Sequence, residues 1–261
     1  MELSWSAAAG DTVVDRGDPD LALGTRELTS PTVIRNEIEI DEGRARAGVP
    51  QTTRVIVLQP VLETRARGGF ALWPVAESAP YGFLPLHGGL TTDEVGAAVM
   101  HIADGNSAAP ESGTDPLGAF LHGLLTMDDL FASGGLRITD TVTGATLVPG
   151  CCNGLDERRD WWEVVDGDGW ASFGHDPSPV AERHGDIVRL TVDAEDDGSP
   201  VIELPVTELR RLLAAAERDL ADFLQLAAAW APLHLSGYAV PAVLALGRAL
   251  DLSAGAPPLN P

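Results

Sequence analysis

Residues 207–230 place the tightest constraint on what this chain can fold into. Leu209, Leu212, Leu213, Ala216, Leu220, Phe223, Leu224, Ala227 and Trp230 recur there at helical spacing, which predicts an amphipathic helix opening at Thr207 and stopped by Pro232. So long an apolar stripe must be buried, so the rest of the chain has to supply a core along its length. The stripe runs into residues 223–247, which contain no Asp, Glu, Lys or Arg and are long enough to span a bilayer. Gln225, Pro232, His234, Ser236, Gly237 and Pro241 interrupt that run, and only Arg248 flanks it. The expectation is therefore two packed helices and no membrane span, the second starting near Pro241 and carrying Val243, Leu244 and Leu250.

The partners for these helices read as strands. Residues 32–41 alternate, with Ile34, Ile38 and Ile40 on one face and Arg35, Glu37, Glu39 and Asp41 on the other. Residues 54–62 (RVIVLQPVL) are more continuously apolar, and Pro60 suggests an edge or a bend. Residues 70–73 and 81–86 are shorter candidates. Thr91 and Glu94 have capping-box spacing ahead of Val95, Ala98, Val99 and Ile102, predicting a helix over 92–103. Pro116 suits a first helical turn before Leu117, Phe120, Leu121, Leu124 and Leu125. Residues 136–139 with 145–148, and 187–192 with 201–204, read as hairpins. Asn153 reads as the cap of a helix running to Val165 and ended by Gly167. The fold class expected is α+β: a β-rich N-terminal part with one helix, then a C-terminal part with two hairpins and several helices. Residues 103–116 (ADGNSAAPESGTDP) have nothing large to bury. They place a linker or exposed loop at 105–116, between an α+β domain over 1–104 and another over 117–261, with one continuous domain as the alternative.

Composition excludes several chemistries. All 17 basic residues are arginines, which removes the phosphate-loop lysine, lysine Schiff bases and Ser-Lys acylation. The formal charge is −22, and residues 1–130 and 131–261 carry −11 each. Such a field repels phosphate backbones and anionic membrane surfaces, so nucleic acid is not an expected partner. The only two cysteines are adjacent, Cys151-Cys152, which cannot build a secreted disulfide framework. The start MELSWSAAAGDTVVDRGD has neither a basic n-region nor a long apolar run. Together these point to the cytoplasm.

Residues 148–192 gather what chemistry there is: both cysteines, Trp161, Trp162, Trp170, His175 and His184. Cys151 and Cys152 precede the helix start expected at Asn153, where open amides depress a thiol pKa, and His175, Asp176 and His184 follow, so a Cys/His/Asp site can be written down. Packing is the competing expectation, because free cysteine is among the most buried residue types. Adjacent cysteines lack the usual ligand spacing of zinc sites, so no metal is expected, and no cofactor motif is present. Asp166-Gly167-Asp168-Gly169 has Trp170 where a calcium loop needs another oxygen ligand, and reads as a turn. His87-Gly88-Gly89 is similar to a hydrolase oxyanion loop, but no G-x-S-x-G elbow accompanies it, leaving a strand-to-helix turn.

Residues 151–200 hold 13 acids against 4 arginines, the densest acidic stretch of the chain. Asp156, Glu157, Asp160, Glu163, Asp166 and Asp168 surround Trp161, Trp162 and Trp170, a composition that fits an aromatic anchor with an acidic rim. GDIVRLTVD, a following strand and ADFLQLAAAW resemble small bacterial immunity proteins of the SUKH type, over at most the last 115 residues. That resemblance implies a non-catalytic protein that binds a toxin, and it assigns no residue roles. The functional expectation is thus a non-enzymatic interaction protein, such as an inhibitor or immunity factor, for a partner with a basic surface. The alternative is a thiol- or metal-dependent enzyme using Cys151 or Cys152 with His175, Asp176 or His184.

Overall fold

The computed structural model describes residues 54–65 and 68–252; the alternating segment 32–41 lies outside them. The described residues fall within one compact unit and form two antiparallel four-stranded sheets with five α-helices, an α+β architecture. In chain order the elements begin with β1 (Ile56–Thr64), β2 (Gly82–Pro85), α1 (Thr92–Gly105), α2 (Pro116–Thr126), β3 (Gly134–Asp140) and β4 (Thr146–Leu147). A 3₁₀ turn (Asp156–Arg159) leads into α3 (Asp160–Asp166). Then come β5 (Trp170–Ser172), β6 (Val180–His184), β7 (Ile187–Thr191), β8 (Val201–Pro205), α4 (Val206–His234) and α5 (Ala239–Ala249). The first sheet is ordered β2-β1-β3-β4, and the second is the meander β5-β6-β7-β8.

Local chemistry sets the ends of these elements. Thr91 and Glu94 close a reciprocal capping box on α1, and the Asp115 carboxylate accepts from Leu117 N and Gly118 N to start α2 behind Pro116. Both expected hairpins form, as β3–β4 and β7–β8. Pro60 sits in a central strand, not at an edge. Its carbonyl accepts from Leu86 N just past the end of β2, so its N–H-less nitrogen faces that side and costs the β1–β3 ladder nothing. Residues 70–73 form no strand; Trp73 instead donates Nε1–H to Gly96 O and meets Trp230 edge-on at 5.6 Å.

Three expectations about helices shift. Asn153 caps nothing: it is buried and donates to Gly134 O, so α3 starts only at Asp160. Pro232 lies inside α4, which runs two residues further to His234, because a proline in the last turn forfeits one hydrogen bond without blocking the turn beyond it. Leu244 is exposed on α5, while Ala242, Ala245, Leu246 and Ala249 face inward.

Among the described residues two hydrophobic clusters form. One gathers Leu62, Trp73, Leu86, α1, α2, α5 and the C-terminal half of α4. The other gathers Leu58, β3, α3, the inner face of the second sheet and the N-terminal half of α4. The loop between α1 and α2 is exposed except for Asn106, which is buried. Among the described residues no helix is long and apolar enough to cross a membrane.

Candidate functional site

Chemistry concentrates where the chain leaving β4 meets the chain leaving β5. Residues 150–152 run antiparallel to residues 173–175: Gly150 N donates to Phe173 O at 2.8 Å, Cys151 N to His175 O at 2.5 Å, and His175 N to Cys151 O at 3.4 Å. Glycine permits the approach. A Cβ on Gly150 would stand 2.3 Å from Pro177 O, and one on Gly174 (φ +91°) 2.7 Å from Cys151 O. Phe173 anchors the second arm from below, buried and stacked on Trp161 at 4.0 Å. The residues beyond it are thereby held at the surface.

That alignment brings distant residues together. The Cys151 and Cys152 sulfurs are 3.3 Å apart, and these sulfurs and a ring nitrogen of His175 all lie within 4.8 Å of one another. Neighbouring side chains on an extended strand point to opposite faces. Cys152 escapes this rule because its φ of +67° turns its sulfur to the same side as that of Cys151. His175 Nδ1 is 3.1 Å from Asp176 Oδ2, which leaves Nε2 as the ring nitrogen free of the carboxylate. Asp176 also has a left-handed backbone (φ +52°), a conformation that costs an L-residue roughly 1 kcal/mol or more.

The electrostatics divide the two thiols. The Cys152 pKa is held below the ordinary thiol value, chiefly by its hydrogen bond with Cys151 and then by His175. That of Cys151 is pushed up by the same bond, by desolvation and by nearby Cys152, Glu63 and Asp176. His175 is raised, first by its bond to Asp176 and then by Cys152. Cys151, Cys152, His175 and Asp176 are all exposed, so the packing expectation for the cysteines fails. The group offers two sulfurs and an imidazole to solvent and does not line an enclosed cavity.

His184 is not part of the group. It ends β6 opposite Ile187, whereas the arm carrying His175 leaves from the other end of the sheet, beyond the Ser172–Val180 pair. The tryptophans also separate. Trp161 is core and presents no surface. Trp162 is half-buried, with the Arg210 guanidinium 5.9 Å over its ring, and that guanidinium also binds Asp166 through both oxygens. Trp170 is 55 % exposed, outward on β5 in a cross-strand row with Glu182, Arg189 and Glu203. Asp156, Asp160, Glu163 and Asp168 are exposed and Glu157 is half-buried. Asp156, Glu157 and Asp160 make no ion pair with any other described residue. Crowding shows in Glu157, whose pKa is raised by desolvation first and then by Asp156 and Asp160.

One feature had no signal in the sequence beyond the His87-Gly88-Gly89 turn. That turn lines an open groove of about 760 Å³ with Gln59, Asp219, Asp222 and Gln225. The acids stand three residues apart on α4, and Asp219 is raised mainly by desolvation. Comparison of the chain with protein-family models, curated proteins and solved structures finds no match.

Proposed function

We propose that this chain is a non-catalytic binding protein for a macromolecule with a basic surface, with Trp170 as its anchor. The observation that carries the reading is the exposure of that indole on an open sheet face, in a chain of net charge −22. Covering a half-exposed tryptophan removes on the order of 100 Å² of apolar surface, about 2–3 kcal/mol, and tryptophan leads the residue types that dominate interfaces. The carboxylates of Asp156, Glu157 and Asp160, without an ion pair among the described residues, support a cationic partner, since a guanidinium or ammonium group would relieve their mutual repulsion. The two features supply different things: the indole affinity, the carboxylates long-range attraction.

The test is affinity capture on immobilised full chain, comparing wild type, W170A and the triple variant D156N/E157Q/D160N. The reading expects a basic protein retained at low salt and released as salt rises. It expects W170A to weaken retention strongly and the triple variant to be released at lower salt than wild type. Equal retention by W170A, or no basic protein retained by wild type, would overturn it.

A further inference from the structure

The geometry points to a binding site for a single thiophilic metal ion, of the zinc or copper(I) class, held by Cys151 Sγ, Cys152 Sγ and His175 Nε2, with Asp176 orienting the imidazole. Around a tetrahedral ion with zinc–sulfur bonds near 2.3 Å and zinc–nitrogen bonds near 2.0 Å, ligand atoms lie about 3.5–3.8 Å apart. Here the sulfurs are 3.3 Å apart, and they and a ring nitrogen of His175 lie within 4.8 Å of one another. Closing on an ion therefore asks for side-chain adjustments of about an ångström.

Three features hold that arrangement before any ion arrives. The left-handed Cys152 puts two adjacent sulfurs on one side. The Cys151–His175 bridge fixes the imidazole across from them. The Asp176 carboxylate takes the other ring nitrogen, the outer partner that ligating histidines usually have and that sets tautomer and ring direction. Sulfur and imidazole donors favour zinc and copper(I) over magnesium or calcium. Three protein ligands leave a fourth position open to solvent, the form of a reactive or exchanging site, not of a closed structural one. The chain's negative field raises the local cation concentration around it.

The experiment uses the full chain, reduced, stripped with chelator and desalted without oxygen, then titrated with cobalt(II) and back-titrated with zinc(II). About one cobalt per chain is expected, with the intense near-ultraviolet band of thiolate-to-cobalt charge transfer, bleached by zinc. C151S and C152S should each weaken binding at least about 10-fold and lower the band's intensity. H175A should shift the visible bands, reporting loss of a nitrogen ligand, and D176N should keep the spectrum while weakening binding about 10–100-fold. H184A, which lies away from the triad, should match wild type. Absence of the charge-transfer band in reduced wild type overturns the site, as do visible bands unaltered in H175A or a stoichiometry of one cobalt per two chains. Far-ultraviolet circular dichroism on each variant separates loss of a ligand from loss of the fold.

Discussion

Asn106 gives the sharpest test of how the helical layer is tied down. Its side chain donates from Nδ2 to Ile102 O and to Phe131 O, both at 2.7 Å, and Oδ1 accepts from Phe131 N at 2.9 Å. One buried amide thus closes the end of α1 and fixes the chain entering β3. Asn106→Ala strands both backbone groups of Phe131 at about 1–3 kcal/mol each. Water reaches part of this loop, since the Phe131 side chain is 37 % exposed, so the lower half of that range applies and the total is about 3 kcal/mol. For a unit of this size that lowers Tm by about 6–12 °C.

Asn106→Asp keeps the shape but sets a carboxylate oxygen against two carbonyls, so at neutral pH it should be the worse variant by roughly 1–2 kcal/mol. The new carboxyl is disfavoured when charged, which puts its folded pKa above its unfolded one. Its stability contribution is then full below the unfolded pKa and lost as pH rises through the folded pKa. The deficit of N106D relative to wild type should accordingly shrink on acidification, while that of N106A should not. Urea melts of the three proteins at several pH values measure this. An N106D at least as stable as N106A at neutral pH, or both variants within about 0.5 kcal/mol of wild type, would mean that the Asn106 amide does not tie down this layer.

Three further outcomes follow from single contacts. Arg158 is buried and binds Glu217 through two nitrogens at 3.0 and 3.2 Å while also donating to Leu155 O and Asp251 O. Glu217 is 36 % exposed and those carbonyls remain, so Glu217→Ala should cost about 1–3 kcal/mol in a denaturant melt, below the usual range for a broken buried pair. Gly123→Ala would place a Cβ 1.8 Å from Asn106 O and 2.7 Å from Ala108 N; backbone must move, and a loss of about 2 kcal/mol or more is expected by the same assay. The Asp140 pKa is held low, first by the Val142 N–H and also by Thr143 and Arg54. Its contribution is present above the unfolded carboxyl pKa and lost as pH falls through the folded one, so the stability gap between wild type and D140N should close on acidification.

What could be read in the sequence was local. The stripe behind Pro116, the Thr91–Glu94 box and the nine-position period of α4 depend on neighbours a few residues apart, and all three reappear. Strands β5 and β6 escaped notice because β5 is three residues long and the connection to β6 is rich in glycine and proline. Asn153 looked like a cap by residue type, yet a long-range partner, Gly134, claims its amide. The candidate metal ligands failed a spacing rule that assumes ligands close in sequence. His175 reaches the cysteines across the whole of α3 and β5, through a single bridge that no periodicity announces. The tryptophans divided for a similar reason: three rings within ten residues went to a core stack, an arginine-covered flank and an open sheet face.

The 29-residue α4 is about 44 Å long, and its two halves belong to different clusters: Val206 to Ala216 to one, Leu220 to Ala231 to the other. A single rod threaded through both makes their fates inseparable. A substitution that unwinds α4 under the second sheet is therefore expected to loosen the helices packed beyond Leu220 as well, which hydrogen exchange would show. A ligand gripping either end would therefore slow amide exchange along the entire axle.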